Sequence, residues 1–474
     1  MRNSLALKMS KGPGNLRHEG ILFSADSKSY IYFPFEITEE VYSIKAKLYY
    51  YQKPGNMLFL YCFDPEGLRG RGKDNAIGQG TSYLEITADR AGYGCIPGPL
   101  PKGKWMLEID VQDVYGFCPY RLTLEINTGR SNTEKTVAFP MKKGFSQGIK
   151  DKRAKWYRGE LHLHSKESDG EKDVEELLQM ARDAGLDFVS ITDHNTISQW
   201  RLISRESPVL VLPGTEVSTF YGHANVWGID GWVDWRVGEN GMDINDVIDE
   251  THERGGIFSI NHPMAPGIDG HLSWSFSETD FSKVDSIEIL NAPWFDQNRD
   301  GNIKARRLWN ELLNHGIKIT GVAGSDMHSF DERHRRLGYL VNYVYAENLS
   351  EKAILSAIKK GKVFATLGPK IYFEAMTEKM AGIYTLGDTI YFEKESLGEI
   401  QFKILLKDVE AGQRLVIIKN GVEFFEVKAP QKTVTFKDIL KDQCWYRAEI
   451  HGAPLFNSGD TLVAFTNPIF TKLL

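Results

Sequence analysis

Residues 158–165 read Arg-Gly-Glu-Leu-His-Leu-His-Ser, and this stretch places His162 and His164 one residue apart. A β-strand directs alternate side chains to the same face. Both imidazoles are therefore predicted to leave one face of a strand together, as the chelation of a metal ion requires. Ten of the 12 histidines lie between His162 and His334, a concentration that is typical of a metal centre rather than of a general protein surface.

Other ligand-type residues follow downstream, each at or just past the end of a predicted strand. They are Asp169, Asp193, His194, Glu216, His223, His262, Asp326 and His328. Any one of them alone would more often be a helix cap, a turn residue or a hydrogen-bonded histidine. Because several strand ends in one α/β region each deliver such a residue, the joint pattern predicts a polynuclear metal site.

Composition restricts the class of protein. The chain has 474 residues, enough for about two to four domains, and a net charge of −6, which does not indicate nucleic-acid binding. No run of about 18 apolar residues is present, so no membrane span is expected. The first residues lack the apolar core of a signal peptide, and the four cysteines form no CxxC pair. We therefore expect a cytoplasmic protein with reduced thiols.

The secondary structure that the sequence predicts changes twice along the chain. Residues 1–150 carry short aromatic and β-branched runs between Gly/Pro-rich turns, which predicts a β-sandwich. Residues 154–370 alternate strands with helices. Residues 371–474 return to β-structure, with a hairpin signal at Asn420-Gly421, and we predict a second small sandwich there.

Three helices of the central segment have start and stop signals. Asp173 is the expected cap of a helix over residues 174–184, and Asp243 that of a helix over residues 244–254. A third helix is predicted near residues 303–314. Repeated βα units imply a parallel sheet with the ligand-type residues at its carboxyl edge, which is the functional face of α/β barrels.

The same motifs resemble those of the PHP (polymerase and histidinol phosphatase) superfamily over about residues 157–370. The motifs that carry the resemblance are His162-Leu163-His164, Asp169-Gly170, Thr192-Asp193-His194-Asn195, Glu216, His262 and Asp326-Met327-His328. The phrases at 159–165, at 214–218 with 223–225, and at 361–369 are similar, more narrowly, to CehA/McbA-type metallohydrolases. The resemblance implies a distorted (β/α)7 barrel, here flanked by an N-terminal and a C-terminal β-sandwich domain.

The resemblance also implies a ligand set for two to three divalent ions of manganese, zinc or iron. His162, His164, Glu216 and Asp326 would bind the first ion. Glu216 would bridge to a second ion, joined by His262 and by His223, whose spacing is the most variable. Asp169, His194 and His328 would bind the third ion. Many relatives carry a histidine where this chain has Asp169, and a carboxylate there favours manganese or iron over zinc.

The chemistry expected of such a centre is hydrolysis by a metal-bridged hydroxide, because shared ions lower the pKa of bound water. Glu216 and Asp326 would act through the ions. Asp193 matches no main ligand position, so it is expected either to support the ligands or carry the leaving-group proton, or only to order its loop.

Three functions stay open from the sequence, with a phosphoesterase acting on a small phosphomonoester or phosphodiester as the preferred one. The alternatives are a carbamate, ester or amide hydrolase with the same centre and a non-catalytic metal-binding scaffold. Arg333 and Arg335 could clamp a phosphate or belong to a solvated loop, and Asn291 could line the pocket or pack. We expect a small-molecule substrate, and the flanking domains leave a homo-oligomer open.

Overall fold

The computed structural model describes residues 5–6, 10–12, 15–74, 80–128, 147–265, 272–294, 296–331, 335–377, 382–393, 398–453 and 461–474. Strands dominate this part of the chain, and the α-helices within it all fall between residues 174 and 359. The α/β character expected from the sequence is therefore confined to the central segment. Within these ranges, no helix combines the length and the apolar composition that a membrane crossing needs.

The N-terminal segment forms two sheets over one core. Its strands are β1 (Leu5–Ala6), β2 (Ser10–Gly12), β3 (Asn15–Phe23), β4 (Ser29–Ile37), β5 (Val41–Tyr50), β6 (Met57–Asp64), β7 (Gly67–Arg71), β8 (Lys73–Asp74), β9 (Thr81–Thr87), β10 (Gly103–Asp113) and β11 (Phe117–Thr128). One sheet has the order β1-β4-β10-β6-β7 and the other β2-β3-β11-β5-β9-β8. Alternate residues of both sheets, such as Leu48 of β5 and Leu107 of β10, fill the shared core, which is the consequence of period-two side-chain alternation.

The central segment contributes strands to two further sheets. Its elements are β12 (Lys155–Glu160), α1 (Val174–Asp183), β13 (Phe188–Val189), β14 (Leu210–Val211), β15 (Gly214–Thr219), β16 (Gly222–Trp227), α2 (Ile244–Glu253), β17 (Ile257–Ile260), β18 (Ser286–Asn291), α3 (Asp296–Asn314), β19 (Thr320–Gly324), β20 (Val341–Ala346), α4 (Glu351–Lys359) and β21 (Val363–Thr366). Short 3-10 helices span Ser24–Asp26, Ser198–Leu202 and Glu239–Gly241. One sheet runs β14-β13-β12-β20-β21 and the other β15-β16-β17-β18-β19.

These two sheets meet just beyond their strand ends. A parallel bridge joins Leu163 to Met327, and another joins His194 to Glu216. Strands β12 to β14 are mutually parallel, as are β17 to β19, whereas β15 and β16 form an antiparallel hairpin. The carboxyl ends of β12, β13, β17 and β19 consequently point to one region, where the ligand-type residues lie.

The helix predictions for the central segment are confirmed, with one shifted start. Asp173 caps α1 in a capping box, and the carboxylate of Asp243 accepts hydrogen bonds from the main-chain N–H groups of Asn245 and Asp246 at the start of α2. Helix α3 begins at Asp296, seven residues before the expected start, and ends at Asn314.

The C-terminal strands extend a sheet of the central segment. They are β22 (Lys370–Thr377), β23 (Tyr384–Thr385), β24 (Thr389–Phe392), β25 (Glu399–Lys407), β26 (Arg414–Lys419), β27 (Val422–Lys428), β28 (Thr433–Ile439), β29 (Cys444–His451), β30 (Leu462–Thr466) and β31 (Ile469–Leu473). Strand β30 pairs with β21 and continues through β29 to the β26–β27 hairpin predicted at Asn420-Gly421. A second sheet, β23-β22-β25-β28, shares its core.

Because one sheet passes from β14 to β27, the central and C-terminal segments are joined by main-chain hydrogen bonds and not by a linker alone. Phe364 of β21 belongs to the same buried cluster as residues of β25, β26 and β29. The finer expectations, a closed seven-unit barrel with two separate flanking sandwiches and the boundaries near residues 150 and 370, stay predictions.

Asn467 gives a test of this junction. Its side chain accepts a hydrogen bond from the N–H of Gly321 (2.8 Å) and donates to the carbonyls of Gly321 (2.8 Å) and Val363 (3.0 Å). We predict that Asn467→Ala lowers the free energy of unfolding by about 2 kcal/mol, because buried main-chain groups lose their partners. Urea denaturation measures the change. The exposed Gln401→Ala on β25 is the control, expected within about 0.5 kcal/mol of the parent, and an equally small change at Asn467 would contradict this account.

Candidate metal centre

Nine ligand-type side chains predicted from the sequence converge at the strand ends of the central segment. They are His162, His164, Asp169, His194, Glu216, His223, His262, Asp326 and His328. The side chains of His162, His164 and Glu216 are fully buried, whereas His328 is 35% exposed. The cluster therefore has a closed inner side and an outer side that solvent reaches at His328.

The first group consists of His162, His164, Glu216 and Asp326. The Nε2 atom of His162 lies 3.3 Å from both Glu216 Oε2 and Asp326 Oδ1, and the Nε2 atom of His164 lies 3.3 Å and 3.1 Å from the same oxygens. Ligand bonds of about 2.0–2.2 Å to a shared ion place neighbouring donor atoms roughly 3.0–3.5 Å apart. The spacing of these four atoms fits one metal ion among them.

The second group uses the other oxygen of Glu216. Glu216 Oε1 lies 3.3 Å from Nδ1 of His223 and 3.4 Å from Nε2 of His262. The antiparallel hairpin of β15 and β16 brings His223 here, because its register pairs His223 with Ser218. The two oxygens of Glu216 thus face different groups, which is the arrangement of a bridging carboxylate.

The third group surrounds Asp169. Its carboxylate lies 3.3 Å from Nε2 of His328, 3.6 Å from Nε2 of His194 and 3.9 Å from Nδ1 of His164. The other ring nitrogen of His194 lies 3.0 Å from Glu216 Oε2 and 2.6 Å from the hydroxyl of Ser218. His194 therefore faces two groups at once, which its position in the sequence does not indicate.

Several buried atoms of these groups have no hydrogen-bond partner among the described residues. They are His162 Nε2, His164 Nδ1, Asp169 Oδ2, Glu216 Oε2 and His223 Nδ1. Buried polar atoms are normally satisfied, so orphaned nitrogens and oxygens that converge on common points need a ligand from outside the chain. Mixed imidazole and carboxylate donors are the set that binds Zn²⁺, Mn²⁺ or Fe²⁺, and the residues fit such ions.

Three histidines are held with Nε2 toward the cluster by an acceptor at Nδ1. Nδ1 of His162 donates to the carboxylate of Glu288 (2.8 Å), that of His262 to the carbonyl of Leu272 (3.2 Å), and that of His328 to the carbonyl of Asp326 (3.0 Å). Such acceptors fix the tautomer and the orientation of a ligand ring. The rings are therefore oriented for binding by the protein itself.

Glu288 is a functional residue that sequence reasoning missed. Besides His162, it accepts hydrogen bonds from the main-chain N–H of His262 and from the side-chain amide of Asn291. It lies in the fully buried strand β18, and a lone carboxylate within that apolar run was the signal that could have identified it. One carboxylate thereby orients ligands of the first and the second group.

Asn291, which could line a pocket according to the sequence, is buried next to Glu288. Its amide donates to Glu288 Oε2 at 2.9 Å, and its side-chain oxygen accepts from Asn298 at 2.8 Å. Both ends of the side chain are thus engaged inside the protein, and its contact with substrate stays a prediction.

Asp193 lies outside the ligand groups and holds a loop. Its carboxylate accepts hydrogen bonds from the N–H and hydroxyl groups of both Ser165 and Ser168, at 2.6 Å to 3.2 Å. Ser168 directly precedes Asp169. These contacts account for the loop-ordering role, whereas the proton-transfer role stays a prediction.

The predicted phosphate-binding arginines are only partly described. Arg333 lies outside the described residues. Arg335 follows His328 on the same loop, where its guanidinium donates to Asp331 (3.0 Å) and to the hydroxyl of Ser329 (2.6 Å). Its side chain is 35% exposed.

The histidines of the cluster differ in their pKa. Burial opposes a charge on His162, His262 and His328, but the neighbouring carboxylates outweigh it and raise the pKa of all three, that of His328 to about 10, so a bound metal ion would displace protons from these rings. Burial lowers the pKa of His164 to about 3 and that of His223 to about 4, so both imidazoles stay neutral.

Burial opposes ionisation of Asp169, Glu216 and Asp326, but the neighbouring histidines outweigh it and hold the pKa of each carboxyl well below its usual range. Neutral imidazoles and ionised carboxylates are the species that bind metal ions.

Four residues in and next to the ligand cluster have strained backbone conformations. Asn195, His262, Ala292 and Asp326 have φ values of 47°, 27°, 31° and 49°. A left-handed conformation of a residue other than glycine costs on the order of 1–3 kcal/mol and persists where the surroundings impose it. A side chain at Gly324 would place its Cβ atom 1.9 Å from Glu288 Oε1, so this glycine permits the approach of Glu288 to His162.

Comparison with known proteins gives relatives of low similarity. No protein-family model matches the chain. An uncharacterized protein of Methanocaldococcus jannaschii is 28% identical in an alignment of 172 residues that covers 33% of this chain and 93% of that protein.

Solved structures similar to the chain include PHP-like proteins, the group that the motifs resemble. A two-domain protein of Bacteroides vulgatus, described as containing a predicted PHP-like metal-dependent phosphoesterase, is 16% identical, with 68% of this chain and 98% of that chain covered and a TM-score of 0.37. An amidohydrolase of Chromobacterium violaceum with bound sulfate is 15% identical, with 38% and 89% covered and a TM-score of 0.28. Both TM-scores are below 0.5, and these likenesses therefore assign no function to the chain.

The contacts of Glu288 generate a prediction for metal affinity. In Glu288→Gln, one amide must replace a carboxylate that accepts from His162, His262 and Asn291, so the His162 ring loses its fixed orientation. We expect a loss of about 10–100-fold in the affinity for the first ion. Competition with a chromogenic chelator measures it. The exposed Glu253→Gln is the control, and equal affinities in the two variants would contradict a role for Glu288.

Proposed function

We propose that the chain is a metal-dependent hydrolase that cleaves a phosphoester of a small molecule. The observation that carries this proposal is the convergence of three donor groups around Glu216, Asp326 and Asp169, with orphaned donor atoms directed into each. A fully formed and pre-oriented ligand set speaks against a scaffold protein whose centre has lost its function. We infer further that the central segment is a distorted PHP-type barrel.

The ligand assignment that we propose has three parts. His162, His164, Glu216 and Asp326 hold the first ion, and Glu216 bridges to a second ion at His223 and His262. Asp169, His194 and His328 hold the third, with His194 close enough to Glu216 to be shared. When bound, such ions supply a water of lowered pKa and stabilise negative charge on the substrate.

Charge balance supports a phosphoester over a neutral carbamate. The nine donors include three carboxylates, and two or three divalent ions carry more positive charge than those carboxylates cancel. A site with excess positive charge attracts an anionic substrate and stabilises the charge that develops on its oxygens. Carbamate, ester or amide cleavage, for which the same donors would serve, therefore ranks second.

The protein residues around the ions have distinct proposed roles. Glu216 and Asp326 act as catalytic ligands because each has one carboxylate oxygen toward the first group and the other toward the second. Asp193 keeps the Asp169 loop in place, and Asn291 positions Glu288. Arg335, on the loop that follows His328, is the proposed substrate contact, which requires that it exchange its bond to Asp331 for one to substrate.

The test compares the rates at which the Mn²⁺-loaded protein hydrolyses aryl phosphomonoesters, aryl phosphodiesters and a naphthyl carbamate. Cleavage of a phosphoester that the double variant His162→Ala/His164→Ala loses would support the proposal. Cleavage of the carbamate alone would instead identify the protein as a hydrolase of carbonyl compounds. A protein that binds the metal ions yet cleaves none of these substrates would contradict the proposed substrate classes.

The bridging role of Glu216 generates a second experiment. We predict that Glu216→Gln lowers kcat by about 10²–10³-fold or more, because the variant loses the charge shared between two donor groups. The fold should persist, which circular dichroism checks, since the amide retains the shape of the side chain. Glu253→Gln, exposed at the end of α2, is expected to keep the parent activity. Activity near that of the parent in Glu216→Gln would refute a shared centre.

A further inference from the structure

The N-terminal segment holds the loop that carries Asp169 at three points. The N–H of Gly94 donates to the carboxylate of Glu167 at 2.9 Å, and the hydroxyl of Tyr93 donates to Asp173 at 2.9 Å. Between them, Lys73 Nζ donates to the carbonyl of Ser168 at 2.7 Å and to that of Lys166 at 3.1 Å. All three contacts come from a different segment than the ligands themselves.

The neighbouring loop, which follows His194, has its own contacts with the same segment. The amide of Asn195 donates to the hydroxyl of Tyr61 at 3.2 Å, and the hydroxyl of Thr196 donates to the carbonyl of Gly94 at 3.0 Å. Gly94 thus contacts both loops. Two ligands of the third group, Asp169 and His194, therefore lie on loops that are held by residues outside the central segment.

A second cation, Arg71, lies two residues before Lys73 on this edge. Its side chain is 2% exposed, and its Nε and Nη1 atoms have no hydrogen-bond partner among the described residues. Burial opposes its charge, but Asp74, Tyr61 and Asp169 raise its pKa, so it stays charged near the third group. Phe59 packs against the guanidinium, with its ring centre 5.1 Å from Cζ.

We infer that Lys73 is a positioning residue for Asp169, and that the N-terminal segment thereby determines whether the third group is occupied by a metal ion. Lys73 binds the carbonyl of the residue before Asp169, and Asp193 binds the N–H and hydroxyl of that same residue. Ser168 is consequently fixed from both sides. This inference rests on the proposed metal centre, but not on the reaction that the centre catalyses.

Two effects of Lys73 on the third ion have opposite signs, which makes the inference testable. A positive charge near a cation site repels the cation, so loss of charge alone would tighten metal binding. Loss of the two carbonyl contacts would free the Asp169 loop and thereby weaken metal binding. Residues that orient a metal ligand typically contribute 10–100-fold in affinity, and we expect this positioning effect to exceed the repulsion.

The experiment titrates Mn²⁺ into the 474-residue chain after treatment with a chelator. Calorimetry gives the affinities, and the absorption of the Co²⁺-loaded protein reports on ligand geometry. We expect Lys73→Met to bind one ion, that of the third group, at least about 10-fold less tightly, with the other ions unchanged. Lys73→Arg, which keeps the donors and the charge, should recover most of the affinity. Lys150→Met is the matched control, because Lys150 also donates to a carbonyl, that of Ser207 at 2.6 Å.

Each possible result of this titration either supports or contradicts the role of Lys73. Unchanged or tighter binding in Lys73→Met, or the same loss in Lys150→Met, would overturn the role of Lys73 while the centre itself stands. A parent protein that binds no divalent ion would overturn the metal centre as well. Should Lys73→Met fail to fold, Tyr93→Phe replaces it, since that side chain is 42% exposed. It should weaken the same ion several-fold, and parent-like affinity there would equally overturn the inference.

Discussion

The buried carboxylate of Glu216 is the interaction around which the ligand-type side chains are arranged. It lies within 3.4 Å of ring nitrogens of five histidines: His162, His164, His194, His223 and His262. An uncompensated carboxylate in a protein interior costs several kcal/mol. The strand ends that carry imidazoles must therefore converge on it, and the bridge between His194 and Glu216, where the two sheets meet, is where this requirement is met.

A second layer of polar groups keeps this convergence in a single geometry. The amide of Asn261 donates to Glu216 Oε1 at 2.8 Å, and its oxygen accepts from the N–H of Asn225 on the adjacent strand. Glu288 orients His162 and the main chain at His262 from the other side. Asn261 and Glu288 thus have hydrogen-bond partners of their own. The atoms left without partners among the described residues of the cluster are the ligand atoms that face its interior. His262 and Asp326 have positive φ values, so the fold tolerates local backbone strain at these two ligand-type residues.

The parts of this centre that were predictable from the sequence follow from short-range geometry. Alternation along an extended segment predicted the shared direction of His162 and His164, although the strand itself ends at Glu160, before both residues. The rule that ligands lie past strand ends predicted His262 and Asp326. Three features required tertiary information: the β15–β16 hairpin that carries His223, the two-sided position of His194, and Glu288, which lies inside a buried strand rather than at its end. The pairing of β21 with β30 was not predictable for the same reason, since the register between distant strands leaves no local signal.

The dependence of the third group on the N-terminal segment has an energetic consequence for the whole chain. That segment is docked by polar contacts, including Trp235 Nε1 with Asp110 at 3.0 Å and Arg236 with Glu108 at 3.1 Å. Burial raises the pKa of Asp110 to about 6 and that of Glu108 well above its usual range, so both carboxyls of this junction ionise less readily than exposed ones. If docking orders the Asp169 loop, then metal binding at that loop must stabilise docking by the same free energy, because linkage is reciprocal. The N-terminal sheets are in this sense part of the candidate metal centre, because they hold the loops that carry Asp169 and His194.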